Sequence, residues 1–317
     1  MKLGIIGAGS IVPFHLKASM EAGFTPAVIC GKPGSTNAMK IASSLKGLEF
    51  VNSVSDLLNK SLDAILIATP TSITAEVLKQ ALKKNVPILV EKPLSTELSQ
   101  FLEIPTSAHD RIILGFNRRH YSAVKKFRDV IQESGNGFVR VDIPELATKH
   151  RTSKLERRTA LLENATHILD LLNFILGPIT ITHKEHISDE DGIKFTLANF
   201  ISSNLSIGTI SIGYGVPDNP RISMWVGNKA IELSPIENLN LSIGMRRVEP
   251  TASSPIASYA KEYSHWELHN DDIRFKPGFL RQYMEFYSLV EGKRTNFDSA
   301  SVLDAKRAIA LAHALLD

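Results

Sequence analysis

"KLGIIGAGSIVPFHLKASMEAG" (residues 2–23) decides how the rest of the chain is read. A short apolar run from Leu3 to Ile6 gives way to Gly7-Ala8-Gly9, then to a stretch of helical composition ending at Ala22-Gly23. Glycines directly after a strand and at a helix start leave backbone N–H groups facing outward, where the helix dipole favours an anion. Gly7 allows the tight turn, Gly9 lets a pyrophosphate approach the backbone, and Ser10 and Ile11 carry the loop into the helix. The third fingerprint position holds Val12, where Gly or Ala is usual, so the match is partial. A bare Gly-x-Gly is weak evidence, and its context has to decide.

The context is a continuing alternation. "FTPAVICGK" (24–32) reads as a strand, "TNAMKIASSL" (36–45) as a helix and "LDAILIATP" (62–70) as a strand. "TAEVLKQALKKN" (74–85) is an amphipathic helix, and "VPILVEKP" (86–93) is a further strand. Strands alternating with helices imply parallel βαβ units, and unbroken apolar strands imply a sheet covered on both faces. The fold class is therefore α/β, with an N-terminal Rossmann domain over residues 1–118 binding a dinucleotide. The end of the second strand bears on which one. Cys30-Gly31-Lys32 offers no acid to the ribose hydroxyls, and the next carboxylate is Glu49. With no carboxylate to repel a 2′-phosphate and Lys32 placed beside Gly31 to meet one, NADP is favoured, with NAD as the lesser option, and both residues join the cofactor-binding set.

In open α/β sheets ligands sit beyond the carboxyl ends of the strands. Ala68-Thr69-Pro70 and Glu91-Lys92-Pro93 both lie at such ends, so the charges of the second stretch face a cofactor crevice. The run "GIIGAGSIV…IATPTSITAEVLKQALKKNVPILVEKPLS" resembles the N-terminal half of the glucose–fructose oxidoreductase / inositol dehydrogenase (Gfo/Idh/MocA) family. "ENATHILDLLNFILG" (163–177) resembles that family's second catalytic stretch. The resemblance implies that Lys92 reaches substrate and nicotinamide, that Glu91 fixes cofactor-side geometry, and that the Lys92–Pro93 bond is cis. It also implies hydride transfer between nicotinamide and a sugar, polyol or related alcohol or ketone. Pro93 itself restricts Lys92 to extended backbone, which holds the side chain's direction.

"LGFNRRHY" (114–121) reads as the last Rossmann strand crossing into a second, α+β domain over residues 119–317. Asn117 and Arg118 fall where polar residues meet nicotinamide or substrate in the family, and an interdomain ion pair is an equal reading for Arg118. Within the long helix ending at Gly177-Pro178, Glu163, His167 and Asp170 are spaced four and three apart and share one face. Polar groups on an otherwise apolar helix need a reason, because burying them unpaired is costly. His167 suits proton transfer at neutral pH. Glu163, where the family usually has Asp, is taken to position it. After Ile179 six β-rich runs predict a large, mainly antiparallel sheet. The resemblance implies a homodimer or homotetramer built through it. Residues 250–278 read as irregular, a candidate substrate-covering loop.

The chain has 317 residues, 43% hydrophobic and 22% charged, with net charge +3, which is too slight to imply nucleic acid. A single cysteine, no apolar run long enough to span a bilayer and no signal-peptide pattern make a cytoplasmic protein the expectation. His183, Glu185, His186, His265 and His269 follow no metal-site spacing, and no metal is expected. Two rival readings stand beside the oxidoreductase. One is a non-catalytic NADP-binding sensor or scaffold. The other is a nucleotide-sugar dehydrogenase in which Arg151, Lys154 or Arg157 of "KHRTSKLERR" (149–158) receives a substrate phosphate or carboxylate.

Overall fold

The computed structural model describes residues 1–146, 154–266, 269–293 and 298–317. They form two compact units, Met1–His120 with Asn270–Ala310, and Tyr121–His269 with Leu311–Asp317.

In the first unit the chain runs β1 (Lys2–Ile6), α1 (Val12–Glu21), β2 (Thr25–Cys30), α2 (Thr36–Ser44), β3 (Glu49–Val51) and α3 (Val54–Leu58). It continues through β4 (Ala64–Ile67), α4 (Thr71–Ala81), β5 (Ile88–Val90), α5 (Leu98–Leu102) and β6 (Ile112–Leu114). The six strands are all parallel, in the order β3-β2-β1-β4-β5-β6. That order reverses direction between β1 and β4, which opens a crevice at their carboxyl ends. Every residue of β4, β5 and β6 is buried, as expected of a sheet covered on both sides. The last strand lies earlier than "LGFNRRHY" suggested. It ends at Leu114, and Asn117–His120 form a single 3₁₀ turn.

The second unit holds α6 (Ser122–Ser134), β7 (Phe138–Glu145), α7 (Lys154–Leu176), β8 (Ile179–Asp189), β9 (Gly192–Ser202) and β10 (Ile207–Tyr214). Then come β11 (Arg221–Val226), β12 (Lys229–Leu233), β13 (Leu239–Val248) and β14 (Ser258–Trp266). Its eight strands run β14-β13-β12-β11-β7-β10-β9-β8, antiparallel except for the β7–β10 pair. One face packs on Val124, Phe127, Leu161, Leu169 and Leu172 of α6 and α7. The other stays open. Ile201, Ile207, Phe138 and Trp225 are successive partners across β9, β10, β7 and β11, and form an apolar row on that face. The region expected to be an irregular cover is instead ordered in part, because β14 pairs with β13 from Leu239–Trp266 to Val248–Ser258.

The chain closes with α8 (Asn270–Arg274), α9 (Phe279–Val290) and α10 (Val302–Leu316). Residues 270–310 group with the first unit, so the expected division into 1–118 and 119–317 needs correction. The physical reason is the apolar stripe of α9. Phe279, Leu280, Tyr283 and Phe286 complete the core that Leu3, Ile5, Val12 and Leu16 begin on one face of the parallel sheet. Val302, Ala305 and Ile309 of α10 cover its other face.

Candidate functional site

At the carboxyl ends of β1, β2 and β4 lies a cavity of about 650 Å³. Gly7, Gly9, Ser10, Ile11, Gly31, Lys32, Ala68, Thr69 and Pro70 all line it, so nine of the residues singled out in the sequence share one hollow. The two loop glycines serve different purposes. Gly7 sits at φ +114°, and a Cβ there would lie 2.1 Å from the Ala68 carbonyl oxygen, so no other residue fits without moving β4's end. A Cβ on Gly9 would meet nothing within 4 Å, so its hydrogen leaves space that belongs to no protein atom. Helix α1 starts from Ile11 without any side-chain cap; Val12 N–H is taken by the Gly9 carbonyl at 3.0 Å and Pro13 has none, so the backbone bordering that space is the Gly7–Ile11 loop itself. An open cradle at an uncapped helix N-terminus fits a diphosphate.

The far end of the cavity is built where β2 meets α2. Gly31 is closely packed there, since a Cβ would lie 2.7 Å from Ala38 and 2.8 Å from Ser35. Ser35 caps α2, accepting from Ala38 N at 3.3 Å, and lines the cavity beside Lys32 and Asn37. Asn52 and Ser53 add a third polar group of residues, and Ile73 and Val77 supply apolar wall. Among the described residues no carboxylate lines the cavity. Sequence reasoning missed Ser35 and Ser53. Both are helix N-caps, and Ser53-x-x-Asp56 carries a capping pattern that could have located the second. Cys30 also lines the cavity, and burial together with the nearby Asp56 charge pushes its thiol up to about 11. It stays protonated and unreactive at physiological pH.

Glu91 and Lys92 lie at the end of β5 and are not among the lining residues. The Lys92–Pro93 bond is cis, as the resemblance implied. The Glu91 carboxylate turns inward: Oε1 is 2.9 Å from His15 Nε2, and Oε2 accepts from Lys92 N at 3.2 Å. Asn117 is buried and donates from Nδ2 to the Pro277 carbonyl at 2.9 Å, tying the turn after β6 to the entry of α9. Arg118 beside it is half-buried.

In the second unit Glu163, His167 and Asp170 stand on α7 at the expected spacing. Glu163 and His167 are half-buried and Asp170 is fully buried. The nucleotide-sugar reading loses one of its cations. Arg157 is buried, donating to Asp189 Oδ1 at 2.7 Å and Asp191 Oδ2 at 3.3 Å, with its guanidinium 4.6 Å from the Tyr214 ring. Burial alone would push Asp189 up, but the Arg157 hydrogen bond and charge and the Asp191 N–H hold it below the usual carboxylate range. Both terminal nitrogens of this guanidinium are thus committed within the protein, and its Nε is buried away from solvent. Arg151 and the side chains of Lys154 and His265 lie outside the described residues. Among the described residues no helix is long and apolar enough to cross a membrane.

Residues 1–112 match the model of an oxidoreductase family with an NAD-binding Rossmann fold. The chain is 24% identical over 251 residues to an inositol 2-dehydrogenase of Rhizobium meliloti, covering 74% of this chain and 72% of that one. It is 24% identical over 135 residues to the rhizopine catabolism protein MocA of Rhizobium meliloti, covering 41% of this chain and 42% of that protein. With an inositol 2-dehydrogenase of Paenarthrobacter aurescens the match covers 54% of the relative, so in these last two likenesses the chain spans about half of the protein matched. Among solved structures, a UDP-N-acetylglucosamine 3-dehydrogenase of Acidithiobacillus ferrooxidans superposes with TM-score 0.79 at 18% identity, over 100% of this chain and 96% of that one. A dehydrogenase of Chromobacterium violaceum gives TM-score 0.80 at 17% identity, over 99% and 94%. With the glycine cradle, the strand-end Glu-Lys-Pro and the two sheets already in place, residues 1–112 match the NAD-binding Rossmann model of the Gfo/Idh/MocA oxidoreductase family, and the chain as a whole shares the fold of these dehydrogenases.

Proposed function

We propose that the protein is an NADP-preferring oxidoreductase that moves a hydride between nicotinamide and a polyol or sugar-like alcohol or its ketone. The observation that carries this reading is the cavity itself. It combines an unfilled Gly9 cradle at an uncapped helix with Lys32 and Ser35 at the adenosine end and no carboxylate to repel a 2′-phosphate. The inositol 2-dehydrogenase likeness supports the substrate class.

The nicotinamide, when bound, supplies the hydride acceptor or donor. The protein's share is proton handling and charge. In the oxidative direction His167 takes the hydroxyl proton as the C–H hydride departs, and in reduction it returns that proton to the carbonyl oxygen. The Lys92 ammonium donates to the same oxygen and stabilises its developing negative charge. Glu163 orients the imidazole. Asn117 and Arg118 complete the substrate-side set, with Asn117 acting as much through the Pro277 carbonyl as through any ligand. The apolar row Ile201–Ile207–Phe138–Trp225 supports association of two or four copies through the open sheet face.

Calorimetry with NADPH and NADH, on wild type and Lys32→Ala, tests the reading. NADPH binding about 10-fold tighter than NADH, with the difference lost in the variant, is the expected outcome. A polyol and sugar screen then follows, with Lys92→Ala as the inactive control. Binding of both cofactors without turnover of any alcohol would favour the sensor reading, and binding of neither would end the oxidoreductase reading.

A further inference from the structure

A histidine that the reading above leaves without a task sits under the catalytic strand end. His15, on α1, is 0% exposed, and its ring packs against Phe279 with centroids 4.7 Å apart. Its Nε2 lies 2.9 Å from Glu91 Oε1 and its Nδ1 lies 3.0 Å from the Tyr283 hydroxyl. The Nε2 approach is short but out of line with a straight hydrogen bond, so the contact is one of charge and proximity. Tyr283, on α9, is also 0% exposed. Glu91 in turn holds the Lys92 backbone N–H through its second oxygen. The chain of contacts therefore runs Tyr283, His15, Glu91, Lys92, across helix α9, helix α1 and the end of β5.

The donors and acceptors can be ordered. Burial and the Glu91 charge push the Tyr283 phenol well above its ordinary value, so it keeps its proton. A buried hydroxyl needs an acceptor, and Nδ1 is the atom within reach. The Glu91 carboxylate only accepts, so the ring nitrogen facing it must carry the hydrogen. Tyr283 thus selects the imidazole tautomer with a bare Nδ1 and a protonated Nε2. Space for the carboxylate is provided from the opposite side by Gly115, where a Cβ would lie 2.9 Å from Glu91 Oε1 and 3.1 Å from Glu91 Cα. A carboxylate held by a ring on one side and given room by a glycine on the other has one orientation.

We propose that His15, locked in its Nε2–H tautomer by Tyr283, is a positioning residue that fixes Glu91 and through it the backbone that aims Lys92. The proposal deepens the oxidoreductase reading and rests on it for its kinetic part. It gives the role that the resemblance implied for Glu91, fixing cofactor-side geometry, a physical route through His15.

The test uses the full-length protein. Long-range ¹H–¹⁵N spectra of histidine-labelled protein at mildly alkaline pH, with His15→Gln to assign the signal, read the tautomer directly. A bare Nδ1 in wild type, with mixed tautomers in Tyr283→Phe, is expected. His15→Leu should lower kcat about 10- to 100-fold with KM for NADPH nearly unchanged, because the misplaced group is Lys92 and not the cofactor cradle. His15→Gln, whose amide can still donate to Glu91, should recover part of that loss. Tyr283→Phe should cost about 3- to 10-fold in kcat. Gly115→Ala displaces the same carboxylate without touching His15, and should reproduce the kcat loss even where His15→Leu fails to fold. An Nδ1–H tautomer in wild type would overturn the proposal. So would wild-type kcat in both Tyr283→Phe and Gly115→Ala. If wild type oxidises no alcohol at all, the oxidoreductase reading falls on its own, and the tautomer spectrum still decides the relay.

Discussion

The two sheets of this protein solve burial in opposite ways, and their functional residues sit in correspondingly different places. In the parallel sheet β4, β5 and β6 are buried at every position, so no side chain along them faces solvent. Chemistry is then available only where the strands stop, and Gly7, Lys32, Thr69 and Lys92 all follow a strand end. In the antiparallel sheet burial alternates along β9 and β10, leaving Leu197, Ile201 and Ile207 between 38% and 54% exposed. The features it carries for the proposed function are faces: the polar stripe of α7 and the apolar row on the open side. A covered sheet offers its ends, and a half-covered sheet offers its surface.

The sharpest way to break that comparison is to remove the proposed chemistry from each unit in turn. Lys92→Ala and His167→Ala should each lower kcat/KM by about 10²- to 10⁴-fold, measured under steady-state conditions with the best substrate of the screen. NADPH affinity should be nearly unchanged in both. A strong effect of one variant alone would confine the chemistry to one unit.

The next largest effect separates fold from ligand within a single loop. Gly7→Ala forces a side chain into a left-handed region against the Ala68 carbonyl, and should cost about 1–3 kcal/mol of stability along with cofactor binding. Gly9→Ala meets no protein atom, so thermal stability should hold while NADPH affinity falls at least about 10-fold. Equal stability losses in the two variants would mean that the space above Gly9 is not a cradle.

The same contrast explains what the sequence disclosed. The βαβ alternation was legible because a covered parallel sheet imposes unbroken apolar strands, and the cofactor loop because Gly-Ala-Gly can be judged by its neighbours. The six strands after Ile179 were legible from period-2 patterning and turn residues. β14 was not, because Ser258, Tyr259, Lys261 and Glu262 give it a polar composition and it is recognisable only by pairing with β13. The return of residues 270–310 to the first unit was hidden as well. Nothing local distinguishes an apolar stripe that completes one sheet from a stripe that completes another. His15 was overlooked although it met the criterion applied to His167, a polar side chain on a buried helix face. Its partner Tyr283 lies 268 residues away, and no spacing connects them.

The open face offers a test of smaller effect. If the row Ile201–Ile207–Phe138–Trp225 is covered in an oligomer, Ile207→Asp places a charge at its centre and should shift the sedimenting species toward monomer. Folding should be preserved, since Ile207 is 54% exposed within the chain. A wild type already monomeric would leave the second sheet's outer face a plain solvent surface, and the comparison would then rest on α7 alone.

The smallest predicted effect concerns the missed assignment of residues 270–310. Asp304 of α10 accepts from Ser301 N at 2.9 Å and Ser301 Oγ at 2.7 Å, and lies 3.6 Å from the buried guanidinium of Arg119, just after β6. Burial pushes its carboxyl up, but the Arg119 charge and the Ser301 hydrogen bonds outweigh that and hold it below the ordinary value. A carboxyl whose folded pKa is depressed stabilises the fold above its unfolded pKa, near 3.9, and loses that contribution as pH falls through the folded value. Asp304→Asn should therefore cost about 1–2 kcal/mol at neutral pH, measured by urea unfolding. The gap from wild type should narrow below about pH 4, where Asp304 of the unfolded chain takes up its proton, and close as pH passes the lower folded value. A gap that stays constant with pH would mean that α10 is held to this unit by its apolar stripe alone, with the ion pair adding nothing to its anchorage.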